Sequence, residues 1–298
     1  KFFAVCAGIR SLKDIVGINK IKFLIGLSGG IDSAVVLALL TYSLGCHNVE
    51  AINMPTKYNS QKTIDLATKI AKNLNVSLKT VAVDDLCDMN KIKLEQYDNS
   101  DIDKKILLLN NENLQAKIRS TSILSNYAQR HKLFLISNSN KLEIALGYAT
   151  LYGDVNGIVA PIGDLTKTEV FALAKYLNTK VFAKEVIPQE LIPTDGYRFE
   201  ENQVVPSAEL REKQIDPMKW GYHDALLEAM HITSVRRRVI KETTDPDNEW
   251  AGTGSAGSTN NKLNTSFSIG TEYFINQIDE KTIKLDNGDN TIINPSLT

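Results

Sequence analysis

Cysteine is scarce in this chain of 298 residues. Three cysteines are present, at Cys6, Cys46 and Cys87, and they are too few and too scattered for a disulfide framework or a Cys-x-x-Cys metal site. An excess of either charge is also lacking, because 34 Lys and Arg residues accompany 35 Asp and Glu residues. Without an overall basic field, non-specific binding to nucleic acid is not favoured. We therefore expect an intracellular, cytoplasmic protein with no nucleic-acid partner.

Long hydrophobic runs are absent as well. No apolar stretch approaches the roughly 20 residues that a membrane-spanning helix needs, and the apolar start Phe2-Phe3-Ala4-Val5 is too short for a secretory signal. These absences argue against a membrane-spanning or secreted protein. We expect a soluble protein with no membrane partner and, at this length, one main domain.

Short apolar runs alternate with stretches of helical period through the first half of the chain. The strand-like runs span residues 22–27, 49–54, 79–83 and 133–137, and the helical stretches span residues 34–44, 61–74 and 113–129. This alternation predicts an α/β fold with a doubly wound parallel sheet of the Rossmann-like kind. Ligands of such sheets bind in the crevice at the carboxyl ends of the strands.

The composition of the chain changes at three places. Residues 91–111 are polar and predict a mobile surface loop. Residues 245–266 are rich in Gly, Ser, Thr and Asn, which is typical of a flexible linker. Beyond them, short strand-like runs flank the hairpin signal Asp286-Asn287-Gly288-Asp289. We therefore predict a main domain over residues 1–244, a linker over residues 245–266 and a short β-hairpin appendage over residues 267–298.

A glycine-rich segment, Ser28-Gly29-Gly30-Ile31-Asp32-Ser33, lies between the first strand-like run and the helical stretch of residues 34–44. Two adjacent glycines let the chain turn sharply and direct several backbone N–H groups at one anion, and the helix adds its positive end. Ser28 and Ser33 can donate hydroxyl hydrogen bonds to phosphate, whereas Asp32 suits such a site if Mg²⁺ lies between them. The segment predicts a polyphosphate-binding loop. The alternative is a plain turn in which Asp32 and Ser33 cap the helix.

The spacing of this loop differs from G-x-x-x-x-G-K-[ST] and from G-x-G-x-x-G, so kinase-like transfer of a γ-phosphoryl group is not indicated. The loop resembles the one found in enzymes that split ATP into AMP and pyrophosphate. Its position between a strand and a helix is the context that such a motif requires.

Two other segments are candidates for the same crevice. Residues 54–60 follow the second strand-like run and could approach an adenosine, although a plain connecting loop explains them equally well. Gln115 and Arg119 lie four residues apart on one helix face. That face either points into the crevice or is solvated.

Two later segments carry a specific resemblance. They are Asn138-Ser139-Asn140-Lys141-Leu142-Glu143, which continues to Asp154, and Ala160-Pro161-Ile162-Gly163-Asp164-Leu165-Thr166-Lys167. Together with residues 28–33 they resemble NAD synthetases, and residues 54–60 are closer to the glutamine-dependent type. The likeness covers residues 3–229.

The resemblance implies an adenine-nucleotide alpha-hydrolase-like fold and an ATP-dependent ligase. Such an enzyme amidates deamido-NAD to NAD through an adenylated intermediate, releases AMP and pyrophosphate, and uses ammonia as nitrogen donor and Mg²⁺ as cofactor. A homodimer, and an amidase domain or partner that supplies ammonia, are also implied. Two alternatives stay open: an enzyme of this fold that acts on another acceptor such as tRNA, and a nucleotide-binding regulatory module that has lost catalysis.

The resemblance also assigns roles to individual residues. It implies that Asp32, Lys167 and Asp154 are catalytic and that Asp32 and Glu143 ligate Mg²⁺. The residues implied to bind ATP and its pyrophosphate are Ser28, Gly29, Gly30, Asp32, Ser33, Met54, Lys167 and Ser207. Those implied to bind deamido-NAD are Arg119, Asn138, Glu143 and Asp154.

One segment departs from the family pattern. Where the family usually has Thr-Gly-Asn-Lys-Ser-Glu, Ser139 replaces the glycine of a tight turn and Leu142 replaces a hydroxyl residue. We therefore expect the ligand geometry around Glu143 to differ from that of the family.

Overall fold

The computed structural model describes residues 1–15, 22–98, 102–214 and 216–229. Within these residues, four parallel strands form one sheet in the order β3-β2-β1-β4. The strands are β1 (Lys22–Gly26), β2 (Val49–Asn53), β3 (Ser77–Thr80) and β4 (Leu133–Ile136). The chain runs outward from β1 to β3 and then returns to the other side of β1. This order confirms the predicted doubly wound α/β fold and places a crevice between the carboxyl ends of β1 and β4.

Helices cover both faces of the sheet. They are α1 (Phe2–Ile15), α2 (Ile31–Leu44), α3 (Gln61–Asn73), α4 (Asp84–Tyr97), α5 (Lys104–Lys117), α6 (Asn126–His131), α7 (Lys141–Leu146) and α8 (Lys167–Tyr176). Residues 220–229 are helical too. The wide turns of a π-helix over Ile118–Ser125 join α5 to α6. None of the described helices is both long and apolar enough to cross a membrane.

The centre of the core is α2. Every side chain from Ala34 to Leu40 is fully buried, because α1 and α8 pack on the side of α2 that faces away from the sheet. A helix that is apolar all round requires burial on all sides. Strand residues alternate between the two faces: Phe23 and Ile25 pack toward α2, whereas Leu24 packs toward the π-helix.

Two predictions need correction. Residues 91–111 were expected to form a mobile loop, but they belong largely to α4 and α5. Their apolar residues, including Ile92 and Ile106, are exposed, so these helices lack the buried stripe that makes a helix recognisable in a sequence. β3 begins at Ser77 rather than at residue 79. The predicted linker and hairpin, residues 245–298, lie outside the described residues.

Candidate active site

The glycine-rich loop leads from β1 into α2, as predicted. Gly29 adopts φ +91°, which is a left-handed conformation that favours glycine. Gly30 is the N-cap of α2 and carries no side chain that could cap the helix. Asp32 does not cap the helix either, because its carboxylate accepts hydrogen bonds from Asn140 and Lys167. The first turn of α2 therefore keeps its positive end for an anion.

Part of this loop lines a cavity. Ser28 Oγ lies 3.2 Å from Ser33 Oγ, and Ser28 and Gly30 line a cavity together with Ser207 and Glu209. The Ser207 hydroxyl donates to the backbone oxygen of residue 214 at 2.9 Å. The structure thus brings the predicted pyrophosphate residues Ser28, Gly30 and Ser207 to one place, although they come from distant parts of the chain.

Three charged side chains meet beside this loop. The Lys167 side chain is only 2% exposed, and its Nζ lies 2.5 Å from Asp32 Oδ2 and 3.7 Å from Glu143 Oε1. Each residue stands in the first turn of its own helix: Asp32 in α2, Glu143 in α7 and Lys167 in α8. The three helix N-termini therefore converge on the crevice at the carboxyl end of the sheet.

Local hydrogen bonds hold Glu143 in this position. Its Oε2 accepts from the Asn140 backbone N–H at 3.1 Å, while Asn140 Oδ1 accepts from the Glu143 N–H at 3.0 Å. This capping box starts α7. Asn140 Nδ2 also donates to Asp32 Oδ1 at 3.0 Å, so one asparagine positions both carboxylates.

The two departures from the family pattern leave the capping box intact. Ser139 is buried and its backbone is not in the left-handed region, so a glycine is not required there. Its hydroxyl lies 3.3 Å from the Asp154 carbonyl oxygen. Leu142 is fully buried and packs with Leu146 and Met218. The altered residues therefore serve packing, and the position of Glu143 is set by Asn140.

The pKa values of Glu143 and Lys167 depend on the charges beside them. Burial, reinforced by the negative charge of Asp32, raises the pKa of Glu143 to about 8. Burial by itself lowers the pKa of Lys167, but the carboxylates of Asp32 and Glu143 outweigh it and raise that pKa above its ordinary value. Lys167 therefore stays a cation between the two carboxyl groups.

The same carboxylates fit a magnesium ion. They converge on a single cation in the structure, and Mg²⁺ in proteins is commonly bound by one or two carboxylates together with phosphate oxygens. Among the described residues, no group of three or more His, Cys, Asp or Glu side chains is placed to hold a metal by itself. Asp32 and Glu143 therefore fit Mg²⁺ that arrives with a polyphosphate.

Two asparagines hold the end of β1. Asn53, the last residue of β2, donates through Nδ2 to the Leu27 carbonyl, and Asn138, just beyond β4, donates in the same way to the Gly26 carbonyl, both at 2.7 Å. Each amide oxygen is buried without a hydrogen-bond partner among the described residues. The contact of Asn138 with deamido-NAD stays a prediction.

Asp154 lies on the β4 side of the site. Burial raises the pKa of its carboxyl group, and Oδ1 accepts from the Thr150 backbone N–H at 2.8 Å. Its negative charge adds to the rise in the pKa of Glu143. The catalytic role of Asp154 stays a prediction.

Arg119 lies on the opposite side, within the π-helix. Its Nε donates to the Met54 carbonyl at 2.9 Å and its Nη2 to Asn59 Oδ1 at 3.1 Å. Gln115 is 2% exposed and donates to the Leu210 carbonyl at 2.7 Å, so this helix face points inward and is not solvated. Arg119 and Met54 contact each other, and Arg119 orders the loop of residues 54–59.

Three acidic residues of the site were missed by the sequence analysis. The Glu209 carboxylate, in the cavity, accepts from Asn59 Nδ2 and Thr63 Oγ1. The Asp216 carboxylate accepts from the Tyr148 hydroxyl at 3.0 Å, and its charge contributes to the raised pKa of Lys167. Asp224 binds the start of α8. The available signal for Asp224 was an acidic residue inside the largely apolar stretch of residues 220–227.

The chain is similar to known proteins over most of its length. The family described as NAD synthase matches residues 5–251. The glutamine-dependent NAD(+) synthetase of Xanthomonas campestris pv. campestris is 38% identical over 222 residues, which are 74% of this chain and 37% of that protein. The NH(3)-dependent NAD(+) synthetase of Fusobacterium nucleatum subsp. nucleatum is 34% identical over 200 residues, which are 67% of each.

Solved structures show the same fold. The glutamine-dependent NAD+ synthetase from Acinetobacter baumannii, in complex with adenosine diphosphate, superposes with a TM-score of 0.59 at 31% identity, over 65% of this chain and 35% of that one. For the NH3-dependent NAD synthetase from Campylobacter jejuni, in complex with the nitrate ion, the TM-score is 0.53 at 32% identity, over 64% of this chain and 74% of that one.

The chain spans about a third of the length of the glutamine-dependent relatives that it matches. The match nevertheless includes the glycine-rich loop and the helices that carry Asp32, Glu143 and Lys167. The resemblance seen in the sequence is confirmed: this chain belongs to the NAD synthase family, whose characterised members are ligases that form NAD.

Proposed function

We propose that this protein amidates deamido-NAD to NAD, with ATP as co-substrate, ammonia as nitrogen donor and Mg²⁺ as cofactor. The observation that carries the proposal is the meeting of Asp32, Glu143 and Lys167 beside the uncapped start of α2. Family membership supports it. A carboxylate is a poor electrophile, so amide formation first needs a leaving group on that carboxylate.

In the first step, an oxygen of the nicotinate carboxylate attacks the α-phosphorus of ATP. The bond from that phosphorus to the bridging oxygen breaks, and pyrophosphate leaves with the electron pair. The backbone N–H groups at the start of α2 and the hydroxyls of Ser28 and Ser33 hold the departing pyrophosphate, and Lys167 offsets its growing charge. Mg²⁺, held by Asp32 and Glu143, would neutralise further negative charge on the phosphates.

In the second step, ammonia attacks the carbonyl carbon of the adenylate. The bond from that carbon to the phosphate oxygen breaks, AMP leaves, and the nitrogen loses a proton. We place the nicotinate end near Asp154 and the nucleotide near Asn138 and Arg119.

The assay that tests the proposal combines the protein with ATP, Mg²⁺, deamido-NAD and ammonium. We expect AMP and NAD to appear in equal amounts, with Asp32→Asn nearly inactive although its circular dichroism is unchanged. Formation of ADP would overturn the proposal. Nucleotide binding without AMP formation would indicate a regulatory module, and AMP formed only with tRNA would indicate another acceptor.

The nitrogen donor can be tested in the same assay. We propose that this chain by itself uses ammonium and not glutamine, and that an amidase domain or partner supplies ammonia in the cell. Among the described residues, the three cysteines are free and two of them, Cys6 and Cys87, are buried. Glutamine-supported turnover by the isolated chain would refute this.

We also propose that the protein is a homodimer. The helices α4 and α5 contact each other and expose large apolar side chains, including Met89, Ile92 and Ile106, which are 60%, 54% and 61% exposed. Exposed apolar patches of this kind mark interaction surfaces. Light scattering should report a dimer, and Ile92→Glu combined with Ile106→Glu should yield a monomer. A wild-type monomer at all concentrations would overturn this proposal.

We infer a cytoplasmic location from the cysteines. All three are free thiols in the structure, which suits a reducing compartment. Recovery of the protein in a periplasmic or secreted fraction of cells would contradict this inference.

A further inference from the structure

We propose that Asp224 is a positioning residue for Lys167, fixing the backbone from which the lysine reaches Asp32 and Glu143. Asp224 lies in the helical stretch of residues 220–229 and is 4% exposed. Its Oδ1 accepts from the Lys167 backbone N–H at 3.3 Å and its Oδ2 from the Thr168 N–H at 2.8 Å. The inference rests on the proposed function in one respect, namely that Lys167 acts on the phosphates.

These hydrogen bonds complete the start of α8. Thr166 and Glu169 form a capping box, in which Thr166 Oγ1 accepts from the Glu169 N–H and Glu169 Oε2 accepts from the Thr166 N–H. The two remaining N–H groups of the first turn, those of Lys167 and Thr168, are bound by Asp224. The anion at the positive end of α8 is therefore a protein carboxylate, and this helix start has no donor left for a phosphate.

The start of α2 differs in this respect. It lies in the same site, but Gly30 provides no side-chain cap. One helix start is thus open to a ligand, whereas the other is closed by Asp224 and serves as a rigid support for Lys167. The same carboxylate also attaches residues 220–229 to the site, and the chain just before them carries Ser207 and Asp216.

Fixing the backbone matters because lysine is long and flexible. Its side chain loses about 2 kcal/mol of rotamer freedom when it is held in one geometry. In this structure Lys167 is held at both ends, by Asp224 at the backbone and by Asp32 and Glu143 at Nζ. A displacement of about 1 Å of a catalytic group can cost roughly 100-fold in rate. Loss of the hydrogen bonds between Asp224 and the backbone should therefore lower kcat.

The test compares Asp224→Asn with a matched control, Glu169→Gln. Both remove a carboxylate that caps the same helix start, but Glu169 binds the Thr166 N–H and does not touch the Lys167 backbone. Asparagine keeps one acceptor and places an NH₂ group against a backbone N–H. We expect Asp224→Asn to lower kcat by about 10- to 100-fold with little change in KM for deamido-NAD, and Glu169→Gln to keep kcat within about twofold. Equal losses in the two variants, or normal kcat in Asp224→Asn, would overturn the proposal.

A second measurement does not depend on turnover. Acetic anhydride acetylates exposed lysine amines, and mass spectrometry reports the rate at each lysine. The buried, ion-paired Lys167 should react slowly in the wild type and in Glu169→Gln, and at least about tenfold faster in Asp224→Asn, because a loosened backbone exposes its amine. If Asp224→Asn does not fold, Asp224→Glu moves the carboxylate by one methylene and should show both effects.

The outcomes separate this inference from the proposed function. If the wild type forms no NAD, the proposed function fails, and the acetylation rates still test the position of Lys167. If the wild type is active and Asp224→Asn changes neither kcat nor the acetylation of Lys167, the positioning role of Asp224 is wrong.

Discussion

A Cβ atom on Gly29 would lie 2.0 Å from the backbone oxygen of Thr63. The first turn of α3 therefore packs directly against the glycine-rich loop, and no side chain fits between them. Thr63 also lines the cavity beside Ser28 and Gly30, so the start of α3 forms part of the cavity wall.

Gly29→Ala should destabilise the protein, because the new methyl group meets backbone and because φ +91° strains any residue other than glycine. We expect a loss of at least about 1 kcal/mol in the free energy of unfolding, with weaker ATP binding. Gly30→Ala is the control: its Cβ would lie 3.4 Å from Ser28 Oγ at an ordinary φ of −83°. Urea titration measures the free energy of unfolding of both variants, and an equal loss in the two would contradict this expectation.

Lys167→Met should cost roughly 3 kcal/mol of stability, because it leaves the carboxylate of Asp32 without its cation. Asp32→Asn in the same chain should restore part of that loss, because it removes the unpaired negative charge. Denaturant unfolding of the two variants checks this. If the double variant is less stable than Lys167→Met, the charge cluster does not behave as described.

Asp154→Asn should make the protein more stable at neutral pH and less active. Burial raises the pKa of Asp154, so the folded state binds this proton more tightly than the unfolded chain. Stability therefore falls as pH rises through the folded pKa, and the ionised carboxylate is a cost at neutral pH. Asparagine avoids that cost and keeps the acceptor for the Thr150 N–H.

The measurement is the free energy of unfolding as a function of pH. The advantage of Asp154→Asn over the wild type should shrink as the pH is lowered. An advantage that is constant with pH would contradict the raised pKa of Asp154.

Arg119→Lys should raise KM for ATP. One guanidinium donates to both the Met54 carbonyl and Asn59 Oδ1, and a lysine ammonium is not shaped to make both contacts. We expect a loss of stability of about 1–2 kcal/mol and a disordered loop over residues 54–59. The control is Arg130→Lys, at an exposed position on α6. Steady-state kinetics should show a raised KM for ATP in Arg119→Lys and an unchanged KM in Arg130→Lys.

Much of the fold could be predicted from local patterns. The predicted β1, β2 and β4 agree with the structure to within one residue, and α3 was predicted to span residues 61–74 and is observed at Gln61–Asn73. Such elements carry their own periodicity and end signals. The helices α4 and α5 could not be predicted, because their apolar residues are exposed and form no single buried stripe.

The candidate site was predictable only in part. The resemblance to a family named Asp32, Glu143, Lys167 and Ser207. The structure brings the first three together and places Ser207 beside Ser28 in the cavity. Their roles toward ligands remain predictions. Asp216 and Asp224 were missed, because an acidic residue whose hydrogen-bond partner lies far away in the sequence leaves no periodic signal.

The sequence by itself determined the glycine-rich loop, the order of strands and helices, and the capping boxes of α7 and α8, because each depends on residues within about one turn of one another. Only the tertiary structure decided that Lys167 meets Asp32, 135 positions away, and that Asp224 closes the start of α8 from 57 positions away. The physical reason is that a parallel sheet brings the carboxyl ends of its strands to one edge, and these contacts form there. Residues that are distant in the sequence become partners because the fold places them close together.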